Sequence, residues 1–163
     1  MATLAKVRAA KRAAMRAGEA GTRTEYIAFG LAGETYAVPI AQLAEILRPP
    51  PITEVPRAPR TVVGVVSVRG RLVTVVDLRT RIRLPTGPVD RRSRILLVNS
   101  GTEHIGFLVD DVQQVWRLAP DEIEASSVLG GDQAAHIAGI GRPAGVEGTV
   151  LILLDLRPLA ESP

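Results

Sequence analysis

The chain has 163 residues, a length that suits one domain or two small fused ones, and its 46% apolar and 23% charged residues are enough for a packed, soluble core. It has no cysteine, which removes disulfides and thiolate metal sites and fits a reducing compartment, and no apolar run approaches the roughly 20 residues of a membrane span. Much of the net charge of +3 lies ahead of Thr24, where Lys6, Arg8, Lys11, Arg12, Arg16 and Arg23 face only Glu19.

Residues 1–24 therefore read as a basic extension, alanine-rich enough to be helical and charged enough to meet acidic lipid, nucleic acid or an acidic protein. A solvated, partly ordered tail is the plainer reading. From Glu25 onward, short apolar runs are cut by Gly and Pro signals, a pattern of strands. YIAFGL, TYAVPI, VVGVVSV and RLVTVVDL fill the first half; RILLVNS, HIGFLVDDV, HIAGIG and TVLILLDL fill the second. PIAQLAEIL, Pro39 to Leu47, reads as a short helix, with Pro39 at its first position and Ile40, Leu43 and Ile46 or Leu47 on one face. RPPPITEVPRAP then forces extended chain. APDEIEAS and LRPLAES are two further short helical turns. A linker falls near RLPTGPVDRRSR, Arg83 to Arg94, where Pro, Gly and charge cluster.

The two halves match. Tyr26, Ile27 and Phe29 correspond to Ile95, Leu96 and Val98, and Tyr36, Val38, Ile40, Leu43 and Ile46 to Ile105, Phe107, Val109, Val112 and Val115, each pair 69 positions apart. VTVVDLR from Val73 matches LILLDLR from Leu151 at an offset of 78, so about nine extra residues sit in the second half, in the stretch from Gly130 to Gly148. Each unit, about 25–85 and about 92–160, has the size of a small five-stranded barrel and is marginal alone, which favours two units sharing an apolar seam.

Positions that differ between the halves are where function can have entered. Glu45 falls opposite Gln114, and Arg69 sits in a tight VRGR tip where the second half has RPAGVEG. An exposed Glu and an exposed turn Arg are common and worth little as a pair. Their functional reading is that they rim an apolar groove of Leu43, Ile46, Val66 and Val68 and fix a partner's register. Catalytic signals are weak. His104 and His136 lack metal-ligand spacing; Asp77 and Asp155 recur as VDL and LDL, which suits capping; Asp110 and Asp111 have no companion ligands; and GIGRPAG lacks the strand and helix of a phosphate loop. No cofactor is expected.

TYAVPIAQLAEI, GVVSVRGRLVTVVDLR, GFLVDDVQQVWRL and LILLDLRPL together resemble the CheW family of chemotaxis adaptors, over about Glu25 to Ala160. The hairpin is the most specific part, similar to the family's G-V-x-N-x-R-G-x-x-V-P-V-x-D-L pattern, with Ser67 in place of Asn and Thr74 in place of Pro. The resemblance implies an all-β fold with short helices, built as two interlocked five-stranded SH3-like or OB-like barrels in one domain over 25–163. It implies a non-enzymatic cytoplasmic adaptor, recruited to receptor arrays, that couples the tips of methyl-accepting chemoreceptors to the regulatory domain of a CheA-type histidine kinase. Residue by residue, it places Leu43, Glu45, Ile46, Gly64, Val68 and Arg69 in the receptor groove and leaves the kinase contact open. Neither membrane insertion nor nucleic-acid binding follows from it. A nucleic-acid-binding barrel with a basic tail is the alternative from composition, against which two Phe, two Tyr and one Trp make a thin stacking platform. A small hydrolase would need a polar cluster that the sequence does not assemble.

Overall fold

The computed structural model describes residues 4–8, 23–100, 103–125 and 136–161; the rest of the basic extension and part of the Gly130 to Gly148 stretch lie outside these. After a helical turn at residues 4–8 (α1), the regular structure of the described residues is mostly strand. In order they are β1 (Thr24–Leu31), β2 (Glu34–Pro39), β3 (Leu43–Leu47), β4 (Val62–Val68), β5 (Arg71–Asp77), helix α2 (Leu78–Arg81), β6 (Arg94–Ser100), β7 (Glu103–Val109), β8 (Asp111–Leu118), β9 (Ile123–Ala125), β10 (Ile137–Gly141), β11 (Leu151–Leu154) and helix α3 (Arg157–Glu161).

The strands form a six-stranded sheet, β8-β1-β2-β11-β10-β9, and a five-stranded sheet, β3-β6-β7-β5-β4. Among the described residues neither closes into a barrel by backbone pairing. Under the sequence duplication, β6 and β7 answer to β1 and β2, β8 to β3, β10 to β4, and β11 to β5. Substituting these equivalents turns β8-β1-β2-β11-β10 into β3-β6-β7-β5-β4, with β9 left as an extra edge strand. Both sheets even place their one parallel contact at the same point, β2 with β11 and β7 with β5. Each sheet thus takes its second and third strands, an antiparallel hairpin, from the opposite half of the sequence.

That exchange explains why β1 is buried at every position from Glu25 to Leu31 rather than on alternate positions. Ile27, Phe29 and Leu31 face the shared seam, while Tyr26 and Ala28 face the interior of the six-stranded sheet. In β6, Leu96 and Val98 likewise face the seam, and Ile95 and Leu97 the five-stranded interior. Both phenylalanines, Phe29 and Phe107, are fully buried in the seam. Phe29 stacks on its cross-strand partner Tyr36, with ring centroids 6.2 Å apart, an arrangement worth about 0.5–1.5 kcal/mol beyond burial.

Pro39 to Leu47 is not a helix. It is the end of β2, one 3-10 turn at Ile40–Gln42, and β3. The helical spacing of Ile40, Leu43 and Ile46 arises because the 3-10 turn brings Leu43 under Ile40, and a bulge between Leu43 and Glu45 restores Ile46 to the buried face. The short helical turn expected in APDEIEAS is a 3-10 turn at Pro120–Glu122, and the chain then continues as β9. The run HIGFLVDDV is broken at Asp110, and the residues after it form β8, a strand absent from the sequence reading. Residues 85–90 carry no regular structure. The extra length of the second half is visible between β10 and β11, where residues 142–150 replace the two-residue Arg69-Gly70 tip.

Asp77 and Asp155 are equivalent helix starts. Asp77 Oδ1 accepts the Arg79 amide proton at 3.0 Å, and Asp155 Oδ1 that of Arg157 at 3.1 Å. The Arg157 guanidinium also donates to both Asp155 oxygens, and these contacts hold the carboxyl below its ordinary value of 3.8. A carboxylate with a depressed native pKa lends stability that is complete above 3.8 and drains away as pH falls through the lower native value. Melting temperature followed from pH 5 to pH 2 should therefore fall less steeply in Asp155→Asn, which can still cap the helix, than in the parent chain. Equal slopes would remove Asp155 from the acid response.

Candidate functional site

Glu45 and Arg69 stand on opposite outer strands of the five-stranded sheet: Glu45 on β3, Arg69 on the tip joining β4 to β5. The sheet curls until they meet, and the Arg69 Nη2 donates to Glu45 Oε1 at 2.7 Å. A side-chain ion pair bridges the sheet where no backbone ladder does. Arg69 is 72% exposed and Glu45 only 13%, so the pair presents its cation to solvent and keeps its anion at the base.

Local geometry fixes both ends. Arg69 and Gly70 both have positive φ, 51° and 78°, the signature of a two-residue hairpin whose twist matches its strands. Glycine accepts that conformation freely; an arginine there is held by the turn at some cost. Glu45 lies within the β3 bulge, which turns Leu43 and Ile46, 1% and 6% exposed, into the core and leaves the Glu45 side chain largely covered at the rim.

Leu43, Glu45, Ile46 and Arg69 line one cavity of about 220 Å³, together with Ile40 and Ala44. The other residues named from sequence stand apart. Val66 is buried in the five-stranded interior, and Val68 packs on that same cluster from its rim. Gly64 lies beneath the crossing of residues 52 and 53: a Cβ there would meet the Thr53 carbonyl oxygen at 2.3 Å, and Thr53 bridges to neighbouring Val65. Gly64 thus sets the backbone that carries the tip rather than a wall of the cavity. Sequence reasoning missed Leu4, Val7 and Arg8, which also line the cavity; being outside the duplication, they had no counterpart to flag them.

The other polar clusters are structural. Asp110 receives the Arg79 guanidinium on both oxygens and the Ala32 amide at 2.8 Å, while Asp111 receives the Gly30 amide at 2.8 Å. Those adjacent carboxylates pin the β1–β2 hairpin to β8 and α2. His104 Nε2 lies 3.1 Å from the Arg71 guanidinium, which can only donate, so the imidazole accepts there. Glu122 accepts backbone protons from Ala119 and Ala144, which hold its pKa below the ordinary glutamate value and tie the 142–150 loop down. Among the described residues no group of three or more His, Asp or Glu side chains could hold a metal ion, and no helix is long and apolar enough to cross a membrane.

Residues 25–163 match the family model described as CheW-like domain. The chain is 29% identical over 118 residues to the chemotaxis protein CheW of Helicobacter pylori, covering 72% of each protein. It is 28% identical over 139 residues to the chemotaxis protein CheW of Klebsiella aerogenes, covering 85% of this chain and 82% of that one. In structure it is similar to the scaffolding protein TtCheW from Thermoanaerobacter tengcongensis, with a TM-score of 0.75 at 26% identity, over 84% of this chain and 92% of the other.

Proposed function

The chain belongs to the CheW-like domain family and is a chemotaxis adaptor that couples receptors to a kinase, and from that premise we propose that it does so without catalysis, through two separate surfaces. One surface takes the cytoplasmic tip of a methyl-accepting chemoreceptor. The other takes the regulatory domain of a CheA-type histidine kinase. The protein works in the cytoplasm, recruited to membrane-associated receptor arrays.

The observation that carries the receptor side is the Arg69–Glu45 contact across the open edge of the five-stranded sheet, with Leu43 and Ile46 beneath it. Apolar floor and charged rim are the elements of a helix-binding groove, in which the floor supplies affinity and the rim sets register. Gly64 and Val68 serve it indirectly by holding the hairpin that delivers Arg69. An adaptor of this kind transmits a receptor's state by binding its conformations unequally.

A pull-down with a CheA-type kinase and a receptor-tip fragment tests the proposal. The chain should bring both down in one complex, and each singly. Failure of the chain to join the two would overturn the reading. So would binding of DNA or RNA with a steep salt dependence, which would point to a nucleic-acid-binding barrel.

A further inference from the structure

The groove under Glu45 is already covered by another segment of the chain, which forms one wall of the cavity. Residues 4–8 form a helical turn, and Leu4 and Val7, three positions apart, lie on the same face of it. Val7 is 6% exposed and belongs to the main apolar core, with Leu4 packed against that core beside it. Arg8, the next residue, places Nη2 3.7 Å from Glu45 Oε1, the oxygen that Arg69 binds at 2.7 Å. Glu45 is thus bracketed by two guanidinium groups, one from the family-like core and one from a segment outside it, since the family match begins at residue 25.

A single helical turn has no stability of its own in water, so what holds this one is the surface under it. That surface is the floor and anion of the groove assigned above to the receptor. We propose that residues 4–8 are an occupant of the receptor groove in cis, a competitor that a receptor helix must displace before it can dock. The inference rests on the receptor reading of that groove.

The occupant shows what chemistry the groove accepts: a helix offering two apolar side chains three positions apart and a cation beside Glu45. Because α1 is on the same chain, it competes at a high effective concentration. The apparent affinity for a receptor helix is the intrinsic affinity scaled by the fraction of molecules with α1 released. Arg8 is 59% exposed and makes the longer of the two ion pairs, so it contributes the smaller part of the hold; Leu4 and Val7 contribute the larger.

The test titrates the full chain with a recombinant chemoreceptor-tip coiled-coil fragment in three forms: parent, Arg8→Glu, and Leu4→Asp with Val7→Asp. Arg8→Glu should bind about threefold more tightly and the double variant about tenfold. Hydrogen exchange on the parent chain should show residues 4–8 losing protection when the fragment binds, while the seam strands keep theirs. Equal or weaker binding by Arg8→Glu, with protection at residues 4–8 unchanged, would overturn the competition and leave the receptor reading standing. Should the double variant fail to fold, the exposed Arg8→Glu change and the exchange measurement decide between them. Absence of binding by all three folded forms would remove the groove assignment and, with it, the competitor.

Discussion

Arg69→Glu should weaken receptor-tip binding by tenfold or more while leaving the melting temperature within a few degrees of the parent. The substituted residue sits on an exposed two-residue tip and packs against nothing in the core, so its folding cost is the loss of one partly exposed ion pair, under about 1 kcal/mol. Its binding cost is larger, because the new carboxylate stands beside Glu45 and turns a cationic rim into an anionic one. A tenfold loss corresponds to about 1.4 kcal/mol, modest for a charge reversal at an interface. The exchanged pair, Glu45→Arg with Arg69→Glu, separates two roles of the contact. Recovery of binding means that the pair acts as an internal latch holding the sheet edges together. No recovery means that the charges meet the partner directly. Unaltered binding by Arg69→Glu alone would dismiss both.

Phe107→Ala should cost about 3–5 kcal/mol, out of a total that for such domains is about 5–15 kcal/mol, and should lower the melting of both sheets together. Phe107 is on β7 of the five-stranded sheet but faces the seam, with no solvent exposure. The sole tryptophan, Trp116, is on β8 of the other sheet. Its fluorescence therefore reports the sheet that was not mutated. The fluorescence and far-ultraviolet dichroism transitions should move down by the same amount. A Trp116 transition left in place would show that the seam does not bind the sheets into one cooperative unit.

The strands were legible because they alternate or run apolar between Gly and Pro signals, and the duplication was legible because the seam demands the same residue types twice. Tyr36 and Ile105, Val38 and Phe107, and Ile40 and Val109 all lie in one seam, as their fixed spacing suggests. Pro39 to Leu47 misled because a 3-10 turn followed by a bulge copies the three-residue spacing of a helix face. Strand β8 was hidden by its polar positions, Gln113, Gln114 and Arg117, at the edge of a sheet where one side meets solvent. Glu45 and Arg69 stood out as breaks in the duplication, yet the contact between them could not be read, since the outer strands that carry them are separated by the three inner strands of the curled sheet. Arg8 stood out only as one cation of the basic extension, with nothing to pair it with Glu45. Its role depends on where a segment outside the repeated pattern comes to rest.

The traded hairpins have a meaning for the chain's engineering. Each half completes its sheet only with the other half's hairpin, so the two halves are joined by their strands as well as by the covalent chain. Cutting it between residues 85 and 90 would yield two fragments, each with an incomplete version of both sheets and neither able to close its core alone. Mixed together, they should find each other and rebuild the whole, which makes this loop a natural seam for a split reporter whose reassembly registers the meeting of two proteins.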